Sequence, residues 1–178
     1  MLTTKRLHIR PFNHRDLTHL FELHANPEVA KTTIDGIQSL ETVKKHLEDF
    51  IIHQDKYSYS QFAIFENDGG KFIGRAGITC RALNEEIGEL PEIRFAFLPQ
   101  FWGQGYAFEV TAELVRFAFK DLKLKTLSAT HGMTNQKSAR ILTKNGFKFI
   151  NNIKPKGHPT TDEIRFYLQH NEKINSNG

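Results

Sequence analysis

The amino-acid sequence predicts one mixed α/β domain whose sheet is covered by helices. The chain has 178 residues, of which 39% are hydrophobic, so it is long enough to bury one sizeable core. No internal linker or repeat divides it. Helix-like and strand-like segments follow in the order strand, two helices, three strands, helix, strand, helix, two strands. We expect the domain to occupy residues 1–170, and residues 171–178 to form a polar, frayed tail.

The first half of the chain predicts a strand and two helices. Residues 6–12 alternate apolar and polar side chains, and Pro11 stops this strand. Asn13 is a candidate N-cap for a short helix that is interrupted at residues 26–27. Ser39 caps a second helix, whose apolar residues at helical spacing are Leu40, Val43, Leu47, Phe50 and Ile51.

Three strands are predicted next. Residues 62–78 indicate a hairpin around the turn-forming sequence of residues 67–70. Gly74 and Gly77 are expected to weaken or bulge its second strand. Residues 93–98 alternate as a third strand of the same sheet.

The second half predicts two helices and three strands. Residues 107–120 carry one apolar helical face, and residues 127–129 indicate a strand. Residues 136–145 predict a shorter helix, with Asn135 as its N-cap and Gly146 as a left-handed C-cap. The closing strands are predicted over residues 147–150 and 164–168.

Composition excludes several classes of protein. Cys80 is the only cysteine, so we expect neither an internal disulfide nor a Cys-rich zinc site. His14, His19 and His24 are five residues apart, a spacing that does not place them on one helical face, so no metal is expected. A mean hydropathy of −0.46 and the absence of a long apolar run or signal-peptide core predict a cytoplasmic protein without a membrane partner.

The segment from Phe97 to Ala107 carries the most specific signal. A predicted strand runs into a glycine-containing loop and then a helix, a junction whose N–H groups and helix dipole favour an anion. Gly103 and Gly105 let the backbone approach a phosphate closely, although they are also compatible with a simple tight turn. A dinucleotide-binding loop is excluded because Phe108 replaces its third glycine, and no Walker-type Gly-Lys-Ser/Thr is present.

The loop resembles the acetyl-CoA motif Gln/Arg-x-x-Gly-x-Gly/Ala of the GNAT superfamily of N-acetyltransferases, which Gln100, Gly103 and Gly105 match. Further matches resemble the group of ribosomal-protein N-terminal acetyltransferases within that superfamily. These matches are Tyr106-Ala107 with Glu109, residues 6–11 with Asp16, and residues 135–138 with Gly146-Phe147. Three motifs in the expected order make the resemblance specific, and it spans residues 2–168.

The resemblance implies a mostly antiparallel sheet of about six to seven strands flanked by about four helices. It also implies that the strand over residues 93–98 splays from the one over residues 126–130, with acetyl-CoA as cosubstrate in the V-shaped gap. The Phe97 amide would stabilise the oxyanion of the reaction. The residues assigned by resemblance to acetyl-CoA are Phe97, Leu98, Gly103, Gln104, Gly105, Tyr106, Ala107 and Asn135.

The implied reaction is direct attack of a primary amine on the thioester. Glu92 is the candidate general base, directly or through water; the alternative is a surface carboxylate paired with Arg94 on the same strand face. Arg94 departs from the family, which usually has a small residue there, and a cation there is able to bind an acidic acceptor. Leu142 replaces the tyrosine that many members use to protonate the thiolate, so Ser138 is the candidate substitute, with an ordinary first-turn serine as the alternative.

Three hypotheses on function stay open at this level. The first is acetylation of a protein N-terminal amine, and its close variant is acetylation of a polyamine, amino acid or antibiotic. The second class is a non-catalytic CoA-binding regulatory module, which the missing tyrosine favours. The third, a basic nucleic-acid binder, lacks any recognition motif, so no nucleic-acid partner is expected. The acceptor site is expected around residues 24–37 and 88–94, in a monomer or homodimer.

The net charge of +4 is unevenly distributed. Residues 115–148 contain eight basic residues and only Asp121 as an acid, which leaves −3 for the rest of the chain. Because this segment includes the strand and helix on the implied cosubstrate side, we expect it to attract the phosphates of CoA. The slightly acidic remainder is consistent with a cationic amine substrate.

Overall fold

Eight strands and five helices are present in the computed structural model, which describes residues 1–155 and 163–171. The strands are β1 (Leu2–Thr3), β2 (Leu7–Pro11), β3 (Gln61–Glu66), β4 (Phe72–Asn84), β5 (Gly88–Phe97), β6 (Thr126–Gly132), β7 (Lys148–Ile153) and β8 (Ile164–His170). The helices are α1 (Leu17–Ala25), α2 (Pro27–Ala30), α3 (Leu40–Tyr57), α4 (Tyr106–Arg116) and α5 (Gln136–Lys144). A π-helical turn, Phe117–Asp121, extends α4.

The strands form one sheet in the order β1-β2-β3-β4-β5-β6-β8-β7. Every neighbouring pair is antiparallel except β5 and β6, which are parallel. The prediction of a mixed, mostly antiparallel sheet is therefore confirmed. Two short elements were not predicted, namely the two-residue β1 at one edge and the four-residue α2.

Polar side chains begin the first helices, as their sequence predicts. The Asn13 side chain caps a 3₁₀ turn, His14–Asp16, that leads into α1. It accepts a hydrogen bond from the Arg15 N–H, and the Asp16 carboxylate accepts one from the Asn13 N–H. Asn26 ends α1 and then caps α2, which explains why the predicted interruption contains a further helical turn. Ser39 Oγ accepts a hydrogen bond from the Thr42 N–H in the first turn of α3.

The pairing of β3 with β4 shifts register between Ile64 and Phe65, opposite Gly74 and Phe72, so an irregularity lies beside Gly74, as the expectation of a bulge has it. The strand β4 nevertheless runs for 13 residues. A Cβ atom on Gly77 would lie 2.1 Å from the Ser60 carbonyl oxygen, and one on Gly74 would lie 2.3 Å from that of Ala96. Neighbouring backbone therefore occupies the space of a side chain at both positions. Glycine is required here because the chain segments approach closely, and the strand keeps its pairing with β5.

Helices cover both faces of the sheet, which creates two apolar layers. Because successive side chains of a strand point to opposite faces, neighbours in β4 and β5 belong to different layers. The layer beneath α1 and α3 contains Leu20, Leu23, Val43, Leu47, Ala63 and Ala96. The layer beneath α4 and α5 contains Ile73, Ile93, Phe97, Val110, Leu114 and Leu142.

Strands β5 and β6 diverge, as the resemblance implies. Their parallel pairing is limited to Glu92 and Ser128, where Ser128 Oγ also donates to the Pro91 carbonyl at 3.0 Å. Beyond this pair the two strands separate toward their carboxyl ends. The loop after β5 leads into α4 and the loop after β6 leads into α5, so both helix N-termini lie at the open end of the gap.

The described chain ends in a fixed residue. The Asn171 side chain donates to the carbonyls of Phe119 and Leu124, and its amide donates to Lys125. The frayed tail predicted from residue 171 therefore does not include Asn171, and residues 172–178 lie outside the described part. Within residues 1–155 and 163–171, no helix has the length and apolarity needed to cross a membrane.

Candidate active site

The loop after β5 has the backbone conformation that its glycines predict. Gly103 and Gly105 adopt φ angles of +77° and +83°, in the left-handed region that other residues rarely enter. A Cβ on Gly103 would meet no atom within 4 Å, so the space in front of this residue is open. Helix α4 begins at Tyr106, and the N–H groups of its first turn lack partners within the helix. Loop and helix thus present donors and a positive dipole to one open space.

Arg6 fixes this loop to the start of the sheet, a contact that the sequence did not reveal. Its Nη1 donates to the Gln104 carbonyl at 2.9 Å, and its guanidinium pairs with Glu109 at 2.7 Å and lies 4.3 Å from the centre of the Tyr106 ring. Burial alone would raise the pKa of Glu109, but hydrogen bonds from Thr4 and Arg6 bring that pKa below its usual value. Tyr106 and Glu109, which matched the family motif, therefore hold the loop in place.

Trp102 joins the loop to β5. Its indole Nε1 donates to the Phe97 carbonyl at 2.7 Å, and Lys137 Nζ lies 5.4 Å from its ring centre. Because Lys137 belongs to α5, the tryptophan also connects the two sides of the gap.

A groove of about 500 Å³ follows the gap between β5 and α5. Residues 95–97 of β5 and the glycine loop line one side. The α5 side contributes three basic side chains, those of Lys137, Arg140 and Lys144. Apolar walls with cationic groups at the rim suit a long ligand that carries phosphates.

Leu98 does not line this groove, and its assignment to the cosubstrate by resemblance stays a prediction. Its N–H donates to the Ile73 carbonyl at 2.9 Å, and its carbonyl accepts from Phe101 N at 3.0 Å. The side chain is buried beneath α1 and α3. Phe97 has the opposite orientation because backbone groups alternate direction along a strand, so its N–H faces the gap.

A second, smaller cavity of about 50 Å³ adjoins the groove on the side of α1 and α2. Four residues line both spaces, namely Thr32, Phe95, Asn135 and Ser138. The smaller cavity is lined further by residues 33–34, by Arg75 and Arg94, and by Thr130 and His131. This location agrees with the acceptor region expected around residues 24–37 and 88–94.

Asn135 has a structural role at this junction. Its Oδ1 accepts from Ser138 N at 3.1 Å, as a helix N-cap, and its Nδ2 donates to the Thr32 carbonyl at 3.0 Å. Asn135 thereby fixes the start of α5 to the segment after α2. Its assignment to the cosubstrate stays a prediction.

Glu92 is buried, which contradicts the alternative of a surface carboxylate paired with Arg94. The residue has no exposed surface, and its Oε1 accepts a hydrogen bond from Thr130 Oγ1. Arg94 instead pairs with Asp35 at 2.6 Å. Glu92 lines neither of the two cavities, whereas Thr130 lines the smaller one. The role of Glu92 as general base, directly or through water, stays a prediction.

Ser138 lies in the first turn of α5 and lines both cavities. Leu142 is buried, with 1% exposure, as a core residue would be. The role of Ser138 as proton donor stays a prediction.

The acceptor side contains a buried polar cluster that sequence reasoning missed. Arg75 is 3% exposed, and it donates from Nε to His24 Nε2 at 2.9 Å and from Nη1 to Gln61 Oε1 at 2.8 Å. Burial, assisted by the positive charge of Arg75, lowers the pKa of His24 to about 2, so this imidazole is neutral. Because 51 residues separate His24 from Arg75, no local pattern signals their contact.

His131 lies in β6 and is buried. Its Nε2 lies 3.1 Å from the Tyr167 hydroxyl, and its Nδ1 lies 2.8 Å from the Gly132 carbonyl. Burial lowers the pKa of His131 below its ordinary value. Both ring nitrogens are engaged, so His131 is not a free base.

Over the described ranges, no three His, Cys, Asp or Glu residues gather as a metal site.

Comparison with known proteins relates the chain to one family. Residues 6–148 match the family model described as acetyltransferase (GNAT) domain. The "Uncharacterized N-acetyltransferase YnaD" of Bacillus subtilis (strain 168) is 27% identical over 175 residues, which cover 96% of this chain and 98% of that relative.

Two solved structures share the fold at lower identity. RimL, a ribosomal L7/L12 α-N-protein acetyltransferase in complex with coenzyme A, has a TM-score of 0.72 and 18% identity over 94% of this chain and 95% of its own. The spermidine N-acetyltransferase of Vibrio cholerae, in complex with CoA and spermine, has a TM-score of 0.74 and 16% identity over 96% and 98%. Their acceptors differ, so the shared fold does not identify an acceptor.

Proposed function

Because the chain belongs to the acetyltransferase (GNAT) family, we propose that it acetylates an α-amino group, such as a protein N-terminus. Membership makes it an acyltransferase with acetyl-CoA as cosubstrate. The proposal rests on one observation: the groove and the smaller cavity adjoin each other and differ in their lining. A groove of about 500 Å³ with phosphate-binding features meets a polar cavity of about 50 Å³ at Ser138 and three other residues.

The residues of the groove fit acetyl-CoA. The amides of residues 103–107 and the dipole of α4 suit a pyrophosphate, and the open space before Gly103 admits one. Lys137, Arg140 and Lys144 suit the remaining phosphate charge. When bound, acetyl-CoA supplies an acetyl group activated as a thioester. The Phe97 N–H is oriented to donate to the thioester oxygen as negative charge develops there.

The smaller cavity favours an acceptor that loses its proton easily. No Asp or Glu occurs among the described residues that line it, so no carboxylate contacts the amine directly. An α-amino group has a pKa of about 7.7–8.0, against about 10.4 for a lysine side chain. At pH 7.5 roughly a third of the first is neutral, but only about 0.1% of the second. The cavity therefore suits an α-amine better than a lysine or polyamine nitrogen.

We assign Glu92 an indirect role. Thr130 Oγ1 donates to its carboxylate and lines the cavity, so the hydroxyl is able to accept a proton from the amine while passing its own to Glu92. Ser138, at the junction of the two spaces, is the proposed donor to the departing thiolate.

The test measures release of CoA thiol with three acceptors. These are a peptide with a free N-terminus, the same peptide with a blocked N-terminus and one free lysine, and spermidine. We expect kcat/KM to be at least about tenfold higher for the free N-terminus, because a larger fraction of this amine is neutral. Mass spectrometry identifies the acetylated nitrogen. Acetyl-CoA binding without amine-dependent thiol release would contradict the proposed function.

Substitution of Thr130→Val tests the proposed relay. It removes the hydroxyl but keeps the shape, and we expect kcat to fall roughly 10- to 100-fold, within the usual range for proton-transfer groups. Thr143→Val is the matched control, because Thr143 is exposed on α5 and its hydroxyl bonds to the Ala139 carbonyl. Equal kcat values for the two variants would exclude the relay.

A further inference from the structure

We propose that the acceptor carries a carboxylate close to its amine, and that the guanidinium groups of Arg75 and Arg94 bind this carboxylate at the smaller cavity. The inference rests on the acetyltransferase function proposed above and narrows its substrate class. The source of the carboxylate is either an acidic side chain of the N-terminal residue or the α-carboxylate of a free amino acid.

Arg75 is the first observation behind this inference. Two of its three nitrogens bond to His24 and Gln61, and both partners are neutral. In the described part of the chain no hydrogen-bond acceptor pairs with the third nitrogen, Nη2. A buried guanidinium whose bonded partners are all neutral is costly unless an anion reaches it. Burial and the charge of Arg94 lower the pKa of Arg75 to about 9, although Asp35 and Glu92 oppose this effect.

Arg94 adds a second cation on the same face of the sheet. Arg75 lies opposite Ala96 in the β4–β5 pairing, and Arg94 is two residues from Ala96, so both side chains point toward α1 and α3. Both arginines line the same small cavity. The Arg94 guanidinium is oriented by its 2.6 Å ion pair with Asp35 through Nη2. A guanidinium offers five donors in a planar fork, so one such pair leaves donors for a second carboxylate.

The cavity lining argues against a polycationic acceptor. The charged side chains that line it, among the described residues, are those of Arg75 and Arg94. Asp35 and Glu92 offset part of this charge, but a polyamine would still bring further positive charges beside the two cations, at an electrostatic cost in a poorly solvated space. A zwitterionic acceptor reverses that cost, since its carboxylate pairs with the arginines.

The experiment compares acceptors that differ in one carboxylate, with kcat/KM corrected for the neutral fraction of each amine, because a carboxylate also raises the pKa of a neighbouring amine. The first pair is the dipeptide amides Asp-Ala and Asn-Ala, and the second is alanine and alaninamide. A charged hydrogen bond contributes about 1.5–3 kcal/mol, so we expect kcat/KM to be roughly 10- to 150-fold higher for the carboxylate member of one pair. The pair that shows the preference identifies the source of the carboxylate. Equal kcat/KM values within both pairs would overturn the inference.

Variants connect the preference to the arginines. In the double variant Arg94→Gln with Asp35→Asn, both charges of the ion pair are removed together, so no buried carboxylate is left alone. We expect the carboxylate preference to fall at least about fivefold. The matched control is Arg116→Gln, because Arg116 pairs with Glu113 and Asp121 on the surface, outside both cavities. An unchanged preference in the double variant would also overturn the inference.

The inference and the proposed function fail differently. If neutral amines are acetylated as well as their carboxylate partners, the enzyme is an acetyltransferase and only the inference is wrong. If acetyl-CoA binds but no amine of either pair raises thiol release, the proposed function itself is wrong. Circular dichroism and thermal unfolding of each variant verify that it is folded.

Discussion

His24 is an imidazole whose protonation is governed mainly by its burial. Its Nε2 accepts a hydrogen bond from Arg75, and burial is the main cause of a pKa near 2. In the unfolded chain the pKa of histidine is about 6.5. Below that pH the unfolded state binds a proton that the folded state does not bind. The contribution of neutral His24 to the stability of the folded state is therefore fully present above about pH 6.5 and is lost as the pH falls.

The pH dependence of unfolding tests this coupling between the low pKa of His24 and the stability of the folded state. Between pH 6 and pH 4 we expect His24 to contribute a slope of up to about 1.4 kcal/mol per pH unit to the free energy of unfolding. In His24→Gln, whose amide oxygen is able to accept from Arg75, that part of the slope is removed. Denaturant unfolding over this pH range measures the difference. Val29→Ala, which removes buried apolar atoms without removing a titrating group, is expected to lower stability and keep the slope. Equal slopes for the wild type and His24→Gln would refute the coupling.

Glu92 and Leu98 show which residue properties the sequence left undetermined. Each residue was identified from its position in a motif, and each does lie in or next to the central strand. The sequence did not show that Glu92 is sealed behind Thr130, or that the backbone of Leu98 bonds to Ile73 and Phe101. Burial and backbone direction depend on which segments pack alongside, and those segments are distant in the chain.

At the scale of elements, the glycine loop and α4 form one unit. The loop was predicted in detail because its signal is local: two residues with positive φ precede a helix N-terminus. The helix caps Ser39 and Asn135 were predicted correctly for the same reason, whereas Asn13 caps a 3₁₀ turn, His14–Asp16, that precedes α1. For β4 the sequence indicated the irregularity beside Gly74 but not the reason for its glycines, since the close approach of distant backbone was not visible in the sequence.

Substitution of Gly103→Val tests the loop. A β-branched residue is strained at φ +77°, and its side chain would enter the open space where phosphates are proposed to bind. We expect KM for acetyl-CoA to rise at least about tenfold, with a loss of stability of roughly 1–3 kcal/mol. Gly70→Val in the β3–β4 turn is the matched control, because its φ of +61° imposes similar strain away from the groove. Similar KM values for the two variants would exclude the phosphate-binding role.

At the scale of the whole molecule, only some of the basic residues in the second half of the chain lie at the groove. Of the basic residues between positions 115 and 148, Lys137, Arg140 and Lys144 line the groove. Arg116 is paired instead with Glu113 and Asp121 on the surface. On the acceptor side, the expected acidic character is absent from the described cavity lining, where two arginines lie.

Salt dependence tests the role of the groove cations. Lys144→Gln removes one positive charge from the groove, so we expect KM for acetyl-CoA to rise several-fold at low ionic strength. The difference from wild type is expected to shrink as salt increases, because ions screen exposed charges over about 10 Å at 0.1 M. Lys45→Gln, an exposed residue of α3 on the opposite face, is expected to leave KM unchanged at every salt concentration. A salt-independent KM in both variants would contradict electrostatic attraction.

The sequence by itself determined the order of elements, the helix caps and the glycine loop, because these features depend on residues within a few positions of one another. The tertiary structure decided which side chains face the acceptor and what holds the loop. Arg6 reaches Gln104 across 98 residues, and Arg75 reaches His24 across 51. Such contacts form only when the sheet brings distant strands together, and they determine burial, charge and the direction of each backbone group at the site.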